Sequence, residues 1–78
     1  MSAEDVRVGA TIKAMREMRG LTQEQLATAA LLSRPFVANV EAGRKPVSEK
    51  SLARFSDALR VPQIAIALSK ATFEDAAA

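Results

Sequence analysis

The sequence contains no cysteine and no histidine. Without cysteine there is no disulfide and no thiolate metal site. Without histidine the chain lacks the commonest general base and the commonest metal ligand. Tyrosine and tryptophan are absent too, and three phenylalanines are the whole aromatic complement. Nothing pairs a nucleophile with a base, so an enzyme is not expected, nor a metal or cofactor. No apolar run approaches the ~18 residues of a membrane span. The acidic stretch from Met1 to Val6 has no signal-peptide pattern. Together these absences predict a soluble, cytoplasmic protein with no membrane partner.

What is present is charge, unevenly placed. The 78 residues suffice for one domain, and one so small that self-association is an expected aid to stability. All eleven Lys and Arg lie between Arg7 and Lys70, a segment with only five acids, so its net charge is +6. Glu4, Asp5, Glu74 and Asp75 sit outside it. A compact basic body points to an anionic partner, nucleic acid first, although a solvated basic surface has the same composition.

No segment alternates as a strand would, whereas apolar residues recur at helical spacing in five segments. The first runs from about Asp5 to Arg19, with Val8, Ile12 and Met15 on one face, and Gly20 stops it. Thr22 and Gln25 form a capping-box pattern for a short second helix, about Gln23 to Ala30, with Leu26, Ala27 and Ala30 inward. Ser33 is an N-cap and Pro35 fits the first turn of a third helix that runs to about Ala42. Val37 and Val40 mark its buried side, and Gly43 ends it. Ser48 caps a fourth helix with the stripe Leu52, Phe55 and Leu59. Val61-Pro62 breaks the chain, and a fifth helix is predicted from Pro62 to about Phe73.

Two short helices joined by a tight turn, the second with a polar and basic N-terminal face, describe a helix-turn-helix. Ala27 supplies the small residue required where the two helices cross. Arg34, Phe36, Ala38 and Asn39 are the outward positions of the third helix. Arg offers guanine O6 and N7 two parallel donors, and Asn suits adenine N6 and N7. Arg34 also stands at a helix N-terminus, where a phosphate is equally welcome. Phe36 has two placements open, against a thymine methyl or tucked into the core.

The runs Leu21-Thr22-Gln23-Glu24-Gln25-Leu26-Ala27, Ser33-Arg34, Val37 and Val40-Glu41-Ala42-Gly43-Arg44-Lys45-Pro46 closely resemble the lambda-repressor-like helix-turn-helix family, of the Cro/repressor or XRE type. The resemblance covers about Ile12 to Val61. It implies an all-α, compact five-helix DNA-binding domain that regulates transcription, probing double-stranded DNA as a dimeric Cro-like repressor or controller. Carried over by position, Arg34, Pro35 and Asn39 face base edges, and the outward Phe36 and Ala38 complete the candidate base readers. Gln23, Ser33, Arg44 and Lys45 hold phosphates, and Gln23 also braces the third helix. Arg16 and Glu41 form an ion pair between the first and third helices. Two positions depart from the family pattern. Leu31 stands where the turn usually has Gly, implying either a left-handed Leu or a slightly longer second helix. Pro35 replaces a polar reader. An antitoxin or adaptor that mainly binds protein is the competing role.

The expected organisation is a flexible tail over residues 1–5, the DNA-binding domain over 6–61 and a dimerisation element over 62–78. In the fifth helix Ile64, Ala67, Leu68 and Ala71 share the side assigned to the core. Ile66 and Phe73 lie opposite and are the predicted homodimer contacts. A two-fold dimer matches an inverted-repeat operator, with half-sites about 34 Å apart, and localises the protein to the nucleoid when bound.

Overall fold

The computed structural model describes residues 2–67. Four helices are laid down in order: α1, Ala3–Met18; α2, Gln23–Ala30; α3, Arg34–Glu41; and α4, Glu49–Leu59. Residues 63–67 begin a further helical segment. There is no strand among the described residues, as the all-α reading expects.

Local chemistry accounts for where each helix starts. Thr22 Oγ1 accepts from the Gln25 N–H, and the Gln25 side chain accepts from the Thr22 N–H at 2.8 Å. Two otherwise orphaned amides are thereby satisfied reciprocally. Ser33 Oγ accepts from Phe36 N, with Pro35 in the first turn of α3. Ser48 and Ser51 form the same kind of reciprocal cap on α4. The N-terminus corrects the expected flexible tail over 1–5. Ser2 caps α1 by accepting from Asp5 N, and Glu4 and Asp5 lie in the first turn, where the helix dipole favours acids. Residues 3–5 are therefore helix.

Gly20 and Gly43 end their segments at positive φ, as the sequence suggests. Gly43 is constrained twice over, because a Cβ there would stand 2.8 Å from the Val6 side chain. Leu31 resolves the alternative left open at the turn. It is left-handed, with φ 58° and ψ 40°, and does not extend α2. Arg60 adopts the same conformation at the end of α4, unforeseen in the sequence.

α1 packs on α3 and α4, and α2 packs on α3 and α4. The core they enclose contains Ile12, Leu26, Ala27, Val37, Val40, Phe55, Leu59 and Ile66. Ile66 is the main correction to the sequence reading. Assigned to a dimer surface, it is fully buried, while Ile64, assigned to the core, is 57% exposed and Ala67 is exposed. The two isoleucines are two residues apart, on opposite sides of a helix, so only the phase of the segment decides which one faces in. That phase follows the left-handed reversal at Arg60. With Ile66 in the core it is not available as the dimer contact. Phe73, its predicted companion, and the rest of the dimerisation element over 68–78 lie outside the described residues.

Candidate nucleic-acid interface

α3 is divided lengthwise by its sequence. Val37, Val40 and Glu41 are buried, whereas Arg34 and Pro35 at its N-terminus are exposed and Ala38 and Asn39 are half-buried. The Asn39 amide has no hydrogen-bond partner within the described chain, so both its donors and its acceptor are available. Pro35 presents only carbon to a partner. Ser33 uses its oxygen as an acceptor in capping α3, and its O–H has no acceptor among the described residues. Arg44 and Lys45 project from the loop between α3 and α4, exposed and without partners among the described residues. In the chain they lie between α3, which carries Arg34, and the cap of α4.

Phe36 settles on one of its two placements. Its ring is half-buried against the core and stacks on Phe55, with centroids 6.5 Å apart and an interplanar angle of 17°. Such a pair stabilises beyond its buried area. The ring thus takes the second of its two placements, in the packing between α3 and α4, rather than standing free for a thymine methyl.

Behind the exposed face lies one carboxylate that serves three elements. Arg16 of α1 donates from Nε to Glu41 Oε2 at 2.7 Å and from Nη2 to Glu41 Oε1 at 3.1 Å. This fork-on-fork geometry is the strong form of the contact. Both side chains are nearly out of solvent, and the third donor of Arg16 reaches the Leu21 carbonyl at 2.7 Å. The hydrogen bond that Arg16 donates to Glu41 raises the Arg16 pKa above its ordinary value despite the opposing effect of burial, so the guanidinium stays charged. Glu41 Oε1 also accepts from Gln23 Nε2 at 3.1 Å. That bond fixes the amide of Gln23 with its oxygen outward, where it accepts from Arg34 Nη1 at a longer 3.4 Å. A continuous chain thus runs from Leu21 through Arg16, Glu41 and Gln23 to Arg34. The pair Arg16–Glu41 and the bracing of α3 by Gln23 were both implied by the family resemblance, but that Gln23 does so on Glu41 was not. It depends on two side chains meeting across α2 and α3, and spacing along the chain carries no signal for it.

Two further contacts had no signature. Arg54 of α4 donates from Nη1 to the Leu31 carbonyl at 3.1 Å. Gly9, in the middle of α1, is buried against the last turn of α3, where a Cβ would lie 2.0 Å from the Val40 carbonyl oxygen.

A helix-turn-helix domain model matches residues 7–68, most of the chain, and the protein belongs to that family. It is similar to C.AhdI, the restriction-modification controller protein from Aeromonas hydrophila. The two share 31% identity and a TM-score of 0.81, over 83% of this chain and 98% of that one. ClgR, the clp gene regulator from Corynebacterium glutamicum, is 27% identical, with a TM-score of 0.82 over 94% of this chain and 95% of that one. The controller C.Esp1396I, solved as a tetramer in complex with its natural 35 base-pair operator, is 29% identical. Its TM-score is 0.78, over 85% of this chain and 87% of that one. No curated protein matches the chain.

Proposed function

We propose that the protein is a sequence-specific transcriptional regulator that binds double-stranded operator DNA as a symmetric homodimer, in the cytoplasm and on the nucleoid. The observation that carries the reading is the division of α3. One face is locked into the core by Val37, Val40 and Glu41, and the other carries the exposed Arg34 and Pro35 at the N-terminus and the half-buried Ala38 and Asn39 beyond them. An amphipathic helix so mounted fits the major groove with its N-terminal residues on base edges. Arg34 and Asn39 read bases, and Ser33, Gln23, Arg44 and Lys45 hold phosphates. The operator complex of C.Esp1396I supports DNA as the ligand and an oligomer as the binding form. An inverted-repeat operator follows from two-fold symmetry, and doubling the contacts raises a weak single-site affinity.

The test is a set of binding titrations at several salt concentrations. The probes are a duplex selected by the wild-type protein from a randomised pool and a shuffled duplex of equal length. Arg44→Ala and Lys45→Ala weaken both duplexes alike and lower the salt slope by about one unit each. Arg34→Ala and Asn39→Ala lose about 1–3 kcal/mol on the selected duplex and relax the preference at one base pair. Selection of no consensus by the wild-type protein refutes sequence-specific regulation. An unchanged salt slope in the loop variants refutes the phosphate assignment.

A further inference from the structure

The turn between α2 and α3 sets the angle at which the recognition helix leaves the rest of the domain, and its central residue is in an unfavourable conformation. Leu31 has φ 58° and ψ 40°, a region that glycine occupies freely and a leucine does not. Its side chain is 77% exposed, so packing of that side chain does not compensate the backbone conformation. The turn is held by its backbone. The Leu31 N–H donates to Thr28 O at 3.2 Å and the Leu32 N–H to Ala27 O at 2.9 Å, closing the end of α2. Those two bonds occupy the amides and leave the Leu31 carbonyl pointing away from α2. That carbonyl accepts from the Arg54 guanidinium at 3.1 Å, across from α4 and 23 residues away in sequence. Arg54 is half-buried, in a shallow groove it shares with Leu32 and Phe36. α4 is itself fixed to α3 by the Phe36–Phe55 stack. Arg54 therefore ties the strained peptide to a helix whose position relative to α3 is already set.

We propose that Arg54 is a positioning residue for DNA recognition, acting without touching DNA. By holding the Leu31 carbonyl it adds to the two backbone bonds that keep the turn left-handed and so helps to set the angle between α2 and α3. The inference rests on the DNA-binding reading above for its consequence, but not for its mechanism. Without the tether, the turn populates other conformations, and the apparent affinity falls with the fraction that stays competent.

A double-mutant cycle of Arg54→Met with Leu31→Gly tests this. Glycine holds the left-handed turn unaided, so it removes the need for a tether. Arg54→Met in the wild-type background lowers affinity for the selected duplex about fivefold or more, a loss of the size of the left-handed preference it uncovers. In the Leu31→Gly background the same substitution costs less than about twofold, and in neither background does the salt slope change. An equal loss in both backgrounds with a slope lower by about one unit overturns the proposal, because Arg54 is then a direct phosphate contact. No loss in either background also overturns it. Amide exchange at Leu32 provides an arm that needs no DNA. Exchange at that amide accelerates in Arg54→Met and recovers in the double variant; unchanged exchange in Arg54→Met overturns the tether even if the protein proves not to bind DNA. Should Arg54→Met fold poorly, Arg54→Lys keeps a charge and a donor on a shorter reach and is read by the same exchange measurement, with intermediate protection expected and wild-type protection counting against the tether.

Discussion

Replacing Gly9 with alanine sets two effects against each other whose magnitudes decide the sign. Gly9 is in the interior of α1, and there alanine is worth about 1 kcal/mol more than glycine in helix propensity. Considered as an isolated helix, α1 would gain. In the folded protein the added Cβ would lie 2.0 Å from Val40 O, 3.1 Å from Val40 C and 3.2 Å from Glu41 O. Ordinary contact begins near 3.4 Å, so α1 and α3 must separate by more than an ångström. The obstacle is backbone, which has no rotamer to yield. Overpacking typically costs about 1–3 kcal/mol, and a rigid neighbour places this site at the upper end. The net expectation is a loss of about 2 kcal/mol, equivalent to a fall in Tm of roughly 8–16 °C for a domain of this size. Thermal unfolding followed by circular dichroism measures it, with Ala14→Gly on the exposed face of the same helix reporting the propensity effect alone. A Gly9→Ala variant that melts above wild type refutes the close approach of α1 to α3.

Two further expectations concern the same core. Glu41→Gln strands the Arg16 charge and costs about 3–5 kcal/mol in urea unfolding, whereas the paired change Arg16→Met with Glu41→Leu restores most of that stability. Operator affinity does not recover in the paired variant, because Gln23 has lost the acceptor that orients it toward Arg34; full recovery of binding would show that the chain of bonds to Arg34 is idle. Ala27→Leu, at a buried position between α2 and its neighbours, costs about 1–3 kcal/mol by overpacking, and an unchanged melting temperature would contradict its burial.

Caps and stops were the most legible features of the sequence. Thr22 with Gln25, Ser33 with Pro35, Ser48, Gly20 and Gly43 act locally, through bonds three or four residues apart, so the chain itself displays them. The stripe of α4 and the inward residues of α2 were legible for the same reason, since period fixes face. Where face depended on something distant, legibility failed. Ile64 and Ile66 offer equivalent anchors, and the left-handed Arg60 that chooses between them sits before Val61 without a glycine to announce it. Phe36 had two placements until Phe55 was known to lie across from it. At the interface, residue types suited to bases and phosphates could be read from the pattern. The links that orient them, from Glu41 to Gln23 and from Arg54 to Leu31, join residues 18 and 23 positions apart and have no periodic trace. A mid-helix glycine such as Gly9 reads as a weak helix former, and only the carbonyl standing against it reveals what it is for.

The supports of α3 have a mechanical consequence. α1 meets the last turn of the helix, at Gly9 against Val40 and at Arg16 on Glu41. α4 meets its first turns through the rings of Phe36 and Phe55, and α2 meets it through Gln23 on both Arg34 and Glu41. A rod resting on separate seats takes its direction from all of them together. Moving one seat tilts the rod without dislodging it, and over the length of α3, about 12 Å at 1.5 Å per residue, a small tilt at one end becomes a displacement of the far end. Substitutions at the buried seats, Gly9 and Arg16 on α1 and Phe55 on α4, are therefore expected to shift the direction in which α3 presents Arg34 and Asn39.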